Sequence, residues 1–229
     1  MKLVIGNKNY SSWSMRPWVL MRHFGIAFDE VRLRFDFAPG SAFYRELARY
    51  TPAGKVPVLV DDDGFAVWDT LAIVETLAER FPQHAIWPAD ARRRARARSL
   101  CAEMHAGFTA LRSACPQNLE ARLPQVGTRV LVDHPGVRAD LDVIVQRWTD
   151  ALAASGGPFL FGDFGAADAY FAPLAGRIRT YALPLPEALQ GYVARVFAAP
   201  GVAAWERDAL AEHDFLDFEE PYRRAPEAG

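Results

Sequence analysis

The sequence predicts an α/β domain followed by an all-helical domain, and two observations support this fold class. Short apolar and β-branched runs that are typical of strands occur before residue 70, where helical and turn-forming segments separate them. From Ala89 onward such runs are absent, and apolar residues recur at helical spacing instead. The pattern changes at residues 87–90. We therefore predict one domain over residues 1–85 and a second, all-helical domain over residues 89–229.

The first domain alternates strands and helices. Its first helix begins close to Pro17, because a proline ring is tolerated only in the first turn of a helix. The run at 61–64 has the composition of a hairpin turn, so the strands on either side are antiparallel neighbours. This order predicts a mixed sheet covered by helices. The predicted segments are a strand at 2–5, a helix from about 13 to 24, a strand within 27–35, a short helix at 41–48, strands at 56–60 and 65–68, and a helix at 71–81.

The second domain is predicted to consist of amphipathic helices. Leu141, Ile144, Trp148 and Leu152 form an apolar stripe that ends before Gly156, a typical C-terminal helix signal. The other predicted helices cover residues 91–113, 166–181, 187–198 and 202–212.

The charge balance argues against a nucleic-acid or membrane partner. The formal net charge is −2, so no field of one sign dominates the molecule. Five arginines occur within residues 92–98, but they spread around a helix and fit a solvated or subunit-facing surface.

The cysteines do not indicate a metal site or a disulfide. Cys101 and Cys115 lie in helical sequence without a second thiol or a histidine at ligand spacing. The N-terminus lacks the features of a signal peptide, and no apolar run approaches the length of a membrane helix. We expect a cytoplasmic protein without a metal.

Two adjacent hydroxyl residues, Ser11 and Ser12, stand where the first loop enters the first helix. A hydroxyl there lies beside unpaired N–H groups and the positive end of the helix dipole, so it is well placed to hold an anion such as a thiolate. The alternative is a serine that caps the helix and has no other role.

Three separate stretches resemble motifs of the glutathione transferase superfamily. The run Ser11-Ser12-Trp13-Ser14 resembles the Ser-Ser-Cys-Ser loop of zeta-class members, with Trp13 in place of the cysteine. Residues 54–59, GKVPVL, resemble the Val-Pro loop with its cis proline, and residues 69–73, DTLAI, are similar to the Glu/Gln-Ser-x-Ala-Ile motif. The resemblance covers nearly the whole chain. It implies a thioredoxin-like N-terminal domain of order βαβαββα and an all-helical C-terminal domain.

The resemblance also implies a glutathione site. In the zeta class the first serine of the loop stabilises the glutathione thiolate, which points to Ser11 as the catalytic residue, with Ser12 as the alternative. The backbone of the residue before the cis proline pairs with the cysteinyl part of glutathione. The hydroxyl residue of the third motif binds the γ-glutamyl carboxylate, and the acidic residue before it meets the ammonium. The implied glutathione contacts are Trp13, Lys55, Val56, Pro57, Asp69 and Thr70.

The expected activity is a glutathione transferase that attacks a small hydrophobic electrophile, as in detoxification. A glutathione-dependent isomerase or dehalogenase of zeta type is the alternative, and a non-catalytic glutathione-binding protein is another. We expect a homodimer, as is usual in the superfamily. The acceptor pocket is expected between the domains, at Tyr10, Met104, His105 and Phe108.

One further stretch, residues 162–168, resembles the Gly-x-x-Ser/Thr-x-x-Asp folding motif of the superfamily, in which both polar side chains cap a buried helix. Asp168 retains the carboxylate of this motif, whereas Gly165 replaces the hydroxyl residue. The resemblance implies a structural role for Asp168.

Overall fold

The computed structural model describes residues 1–225 and consists of a small α/β part and a helical part. The α/β part contains β1 (Lys2–Ile5), α1 (Ser12–His23), β2 (Asp29–Arg32), α2 (Ala42–Leu47), β3 (Val58–Val60), β4 (Ala66–Val67) and α3 (Thr70–Arg80). The helical part contains α4 (Ala91–Ala106), α5 (Thr109–Ala114), α6 (Pro124–Asp133), α7 (Pro135–Ser155), α8 (Ala166–Tyr181), α9 (Glu187–Ala198), α10 (Pro200–Leu210) and a 3-10 helix at Asp217–Glu219. The last four residues of the predicted second domain, 226–229, lie outside the described residues.

The four strands form one mixed sheet in the order β2-β1-β3-β4. β1 pairs in parallel with β2 and antiparallel with β3, so that Val4 is aligned with Val31 on one side and Val58 on the other. β3 and β4 are joined by the hairpin predicted at residues 61–64. This is the mixed sheet that the order of segments predicts.

Two strands are shorter than the sequence pattern suggests. β2 covers only Asp29–Arg32 of the predicted stretch 27–35, because β1 offers only four residues with which to pair. Phe35 leaves the sheet and is buried in a small aromatic cluster. β3 begins at Val58, since Pro57 has no N–H to contribute to the ladder.

The single helix predicted over residues 91–113 is wrong, because α4 and α5 replace it. α4 ends at Ala106, and the Gly107 N–H donates to the Glu103 carbonyl at 2.8 Å. Phe108 then takes a left-handed backbone with φ of 54°, and its ring is buried against Phe171. Tertiary packing of one aromatic ring thus accompanies the break. The structure also contains α6, which the sequence pattern did not reveal.

α1 connects the two parts of the molecule, because it packs against α8 and α10 of the helical part as well as against α3. The main apolar core is continuous through this contact and includes Leu3, Trp18, Leu77, Trp148 and Trp205. None of the helices within residues 1–225 has the length and apolar character that a bilayer crossing requires.

The buried helix α8 starts at a carboxylate. Asp168 accepts hydrogen bonds from the N–H groups of Leu160 at 3.1 Å and Gly165 at 3.0 Å, and from the Tyr192 hydroxyl at 2.9 Å. A Cβ on Gly165 would lie 3.0 Å from the Ile86 carbonyl oxygen, so the close approach of the chain accounts for the glycine in the folding motif.

Asp168 gives a test of this arrangement. Burial raises the pKa of Asp168 to about 6, although its three hydrogen bonds favour the charged form. The folded state therefore holds the proton more tightly than the unfolded chain, where the pKa of Asp is about 3.9. The stability that the protonated Asp168 carboxyl contributes is fully present below the pKa of the unfolded state. It is lost as the pH rises through the pKa of the folded state. Relative to Asp168→Asn, the free energy of unfolding of the wild type should fall by about 2–3 kcal/mol between about pH 4 and pH 7.

Urea denaturation of both proteins across this pH range measures the difference. A difference that stays constant, or that grows in favour of the wild type as the pH rises, would contradict the expectation.

Candidate active site

Two adjoining cavities lie beside the start of α1, where the α/β part meets the helical part. Trp13, Lys55, Val56 and Arg112 line both of them, so the cavities meet there. The smaller cavity, of about 330 Å³, is lined by residues that include Trp13, Lys55, Val56, Pro57, Asp69, Thr70, His105 and Arg112. The larger cavity, of about 600 Å³, is lined by residues that include Tyr10, Ser11, Ser12, Phe35, Phe37, Phe43, Gln117, Arg177 and Glu219.

The smaller cavity brings together side chains from three separate segments of the α/β part. These segments are the start of α1, the loop before β3 and the start of α3. All six residues that the sequence predicts as glutathione contacts lie on its wall: Trp13, Lys55, Val56, Pro57, Asp69 and Thr70.

The start of α3 carries an unused hydroxyl. Thr70 is fully buried, and its Oγ1 has no hydrogen-bond partner within residues 1–225. Asp69 caps the helix by accepting from the Thr70 N–H, and its second oxygen lies 3.4 Å from His105 Nε2. The N-terminus of an 11-residue helix attracts anions, and Thr70 adds a donor to it.

The loop before β3 offers backbone groups to the same cavity. The peptide bond between Val56 and Pro57 is cis, as the resemblance implies. Val56 precedes the first paired residue of β3, Val58, so its N–H and C=O are not part of the sheet ladder. An extended ligand can pair with these groups as an added strand would.

Ser11 acts as the cap of α1. Its Oγ accepts from the Ser14 N–H at 3.4 Å and donates to Ser14 Oγ at 2.7 Å. Ser14 Oγ in turn accepts from the Gly6 N–H at 3.1 Å. The Ser11 hydroxyl hydrogen is therefore engaged inside the protein.

Ser12 presents a hydroxyl that makes no hydrogen bond to any other residue in the described part of the chain. It is the first residue of α1, and its side chain lines the larger cavity. Its backbone is fixed, because its N–H donates to the Tyr10 carbonyl at 2.9 Å and its carbonyl accepts from Arg16 at 2.7 Å. Of the two serines, Ser12 has the available donor at the helix start.

The four residues predicted to form the acceptor pocket are separated in the structure. Tyr10 lines the larger cavity, and its hydroxyl donates to Glu220 at 2.7 Å. Met104 and Phe108 line neither cavity, because the core of the helical part buries both. His105 lines the smaller cavity beside Asp69 instead of the larger one. The helix is interrupted between α4 and α5, and one face of α4 packs into the core. These two features explain why the four residues do not form one pocket.

Three arginines beside the cavities have no carboxylate within ion-pair distance among residues 1–225: Arg16, Arg112 and Arg177. Burial lowers the pKa of Arg16 to about 9 and that of Arg177 to about 10, and repulsion from neighbouring arginines adds to both shifts. Arg112 lies over the Trp13 ring, 4.9 Å from its centroid, and burial lowers its pKa as well. These cations give the cavities a positive potential.

The cysteines do not take part in either cavity. Cys101 and Cys115 are buried, and burial raises the pKa of both thiols, to about 12 for Cys115. Within residues 1–225 no group of histidine, cysteine, aspartate or glutamate side chains has the arrangement of a metal site.

Comparisons with known proteins agree with the geometry. Residues 10–80 match the model of the glutathione S-transferase N-terminal domain. The chain is 40% identical over 119 residues to a maleylacetoacetate isomerase of Pseudomonas aeruginosa, and 33% identical over 85 residues to a zeta-class glutathione S-transferase of Euphorbia esula. Residues 10–80 therefore carry a glutathione S-transferase N-terminal domain, and the two relatives that resemble this chain are a zeta-class transferase and an isomerase. The aligned segments span 55% and 36% of the lengths of these two relatives, and 52% and 37% of this chain.

Solved structures extend the similarity in fold to almost the whole of this chain. A glutathione transferase homolog from Burkholderia with bound glutathione is 22% identical, with a TM-score of 0.66, over 93% of this chain and 100% of that one. A bacterial maleyl pyruvate isomerase of zeta class is 20% identical, with a TM-score of 0.67, over 93% and 99%. The predicted fold class, a thioredoxin-like domain followed by helices, is confirmed.

Several residues that line the two cavities were not found from the sequence. Arg112, Gln117, Arg177 and Glu219 come from α5, the segment after it, α8 and the C-terminal 3-10 helix. None of them lies in a local motif. The one available signal was Arg177, a charged residue within a predicted helix whose other residues are mostly apolar.

Proposed function

We propose that the chain is a glutathione transferase that binds glutathione in the smaller cavity and its electrophilic acceptor in the larger one. The buried, unpartnered Thr70 hydroxyl at the start of α3 is the observation that carries this proposal. A buried donor without a partner is costly, and a ligand carboxylate would satisfy it. The match of residues 10–80 to the glutathione S-transferase N-terminal domain supports the same ligand.

Thr70 and Asp69 are proposed to bind the γ-glutamyl end of glutathione. The Thr70 hydroxyl and the free N–H groups of the first turn of α3 donate to the carboxylate. Asp69, whose side chain is 59% exposed, faces the ammonium group. His105 lies beside the same carboxylate of Asp69 and keeps it oriented.

Val56 is proposed to hold the cysteinyl residue through its backbone N–H and C=O. This pairing directs the thiol towards the junction of the two cavities, which Val56 and Trp13 both line. Ser12 lines the larger cavity, which shares Trp13 and Val56 with the smaller one.

Ser12 is proposed to activate the thiol. A free thiol has a pKa of about 8.5, and only the thiolate is a good nucleophile. The Ser12 hydroxyl donates to the sulfur, while the start of α1 and the nearby arginines favour its negative charge. One hydrogen bond to a charged group contributes about 1.5–3 kcal/mol, or roughly one to two pKa units.

The aromatic side chains of the larger cavity are proposed to hold the acceptor. Phe35, Phe37, Phe43 and Tyr44 offer an apolar wall for an aryl or alkyl group. The thiolate sulfur forms the new bond to the electrophilic carbon, and a halide leaves with its electron pair.

We also propose a homodimer in the cytoplasm, because superfamily members are typically dimeric.

A second candidate is a glutathione-dependent isomerase or dehalogenase that acts on a small carboxylate. The relatives named as maleylacetoacetate and maleyl pyruvate isomerases support it. Arg112 and Arg177 support it as well, since neither has a carboxylate partner within residues 1–225. An isomerase would form product from a carboxylate substrate without any net loss of thiol. A transferase would consume one thiol for each product, so a thiol count during turnover separates the two reactions.

Glutathione binding tests the role of Thr70. Isothermal titration calorimetry on the wild type should give saturable binding, and Thr70→Val should weaken it by about 10-fold to 100-fold. Thr128→Val is the matched control, because Thr128 is exposed on α6 and should leave the affinity unchanged. Absence of saturable binding to the wild type would contradict the proposal and favour a non-catalytic protein that has kept only the fold.

The pKa of bound glutathione tests the two serines. The ultraviolet absorbance of the thiolate, followed against pH, should give a thiol pKa that rises by about one to two units in Ser12→Ala. Ser11→Ala should change this pKa less and instead destabilise the protein by about 1 kcal/mol, as loss of a helix cap does. A large rise in Ser11→Ala alone would return the activating role to the first serine.

A further inference from the structure

The larger cavity contains a set of polar side chains that thiol activation does not use. Gln117 follows α5, Arg177 belongs to α8, and Glu219 ends the 3-10 helix of the C-terminal segment. We call these three residues the polar wall. The rest of the cavity includes the aromatic side chains of Phe35, Phe37 and Phe43.

Gln117 is the most unusual member of the polar wall. It is only 2% exposed, and neither its Nε2 nor its Oε1 has a hydrogen-bond partner within residues 1–225. The neighbouring Asn118 is fully engaged, because its Nδ2 donates to Glu220 at 2.8 Å and its Oδ1 accepts from the Ala121 N–H at 3.0 Å. Gln117 therefore differs from its neighbour, because its one buried amide has both an unpaired donor and an unpaired acceptor. Such groups are normally satisfied in proteins.

Arg177 and Glu219 add one cation and one anion. Arg177 donates from Nε to the Cys115 carbonyl at 2.8 Å and from Nη1 to the Pro173 carbonyl at 3.5 Å, which leaves Nη2 unused within the described residues. The Glu219 side chain makes no hydrogen bond or ion pair there, although its backbone N–H donates to the Leu216 carbonyl at 2.8 Å. Burial raises the pKa of Glu219, and the nearby Arg177 partly opposes this shift. The polar wall thus offers donors and acceptors together.

These groups select one kind of ligand. An apolar group would leave both amide atoms of Gln117 unpaired. A carboxylate supplies acceptors only, so Gln117 Oε1 would stay unpaired and the carboxylate of Glu219 would repel it. A primary carboxamide carries two acceptor lone pairs and two N–H donors, so it can accept from Gln117 Nε2 and Arg177 and donate to Gln117 Oε1 and Glu219.

We propose that the acceptor substrate carries a carboxamide-type head group bound by the polar wall, and that Gln117 determines this specificity. This inference rests on the proposed glutathione transferase function. The aromatic side chains hold the apolar body of the acceptor, and the polar wall holds its head group. The acceptor is then amphipathic and not simply a small hydrophobic electrophile.

Three unreactive conjugates test the inference without turnover. They are S-(4-carbamoylbenzyl)-, S-(4-methylbenzyl)- and S-(4-carboxybenzyl)-glutathione, which share the glutathione part and differ only in the head group. Calorimetry on the full chain should show that the carbamoyl conjugate binds at least about tenfold more tightly than each of the other two. Gln117→Met, which keeps the side-chain size, should reduce the preference over the methyl conjugate to about one. Gln146→Met is the matched control on the exposed surface of α7 and should leave the preference unchanged.

Each other outcome overturns a definite part of the proposal. Equal binding of the carbamoyl and methyl conjugates, tighter binding of the carboxy conjugate, or an unchanged preference in Gln117→Met would overturn the role of the polar wall. Failure of all three conjugates to bind the wild type would overturn the glutathione site itself, and the head-group inference with it. If Gln117→Met does not fold, the ranking of the three conjugates on the wild type still decides the question.

Discussion

A buried ammonium group fixes the loop on which the candidate site depends. Lys8 Nζ lies 2.7 Å from Asp208 and 2.8 Å from Glu30, and it stands over the ring of Trp18 at 4.4 Å. The Lys8 carbonyl also accepts from Trp205 Nε1 at 3.0 Å. A buried charge is tolerated only with such partners, so the loop between β1 and α1 has one stable position against α10. The start of α1 is held by the same contacts.

Because this loop is fixed, the starts of two helices contribute side chains to the same pair of cavities. α1 brings the Ser12 hydroxyl to the larger cavity and α3 brings the Thr70 hydroxyl to the smaller one. Both helix ends favour negative charge, and the unpaired arginines strengthen the effect in surroundings from which water is partly excluded. A tripeptide with a carboxylate at one end and an ionisable thiol in the middle matches this distribution of charge. The polar wall then distinguishes acceptors by their head group.

Local signals made much of the α/β part predictable from the sequence. Hairpin composition, helix caps and the Val-Pro dipeptide are each determined by a few neighbouring residues, and these are the features that locate the residues of the smaller cavity. Contacts between distant segments were not predictable in this way. Phe108 packs against Phe171 where the predicted long helix is interrupted, and Gln117 and Glu219 reach the larger cavity from segments far apart in the sequence. The choice between Ser11 and Ser12 depends on Ser14, whose hydroxyl engages the first serine.

A crystal structure of the chain with glutathione would test the proposed glutathione site. We expect the γ-glutamyl carboxylate within hydrogen-bond distance of Thr70 Oγ1, the cysteinyl backbone paired with Val56, and the sulfur beside the Ser12 hydroxyl. Glutathione bound elsewhere, or with its carboxylate away from the start of α3, would contradict this assignment.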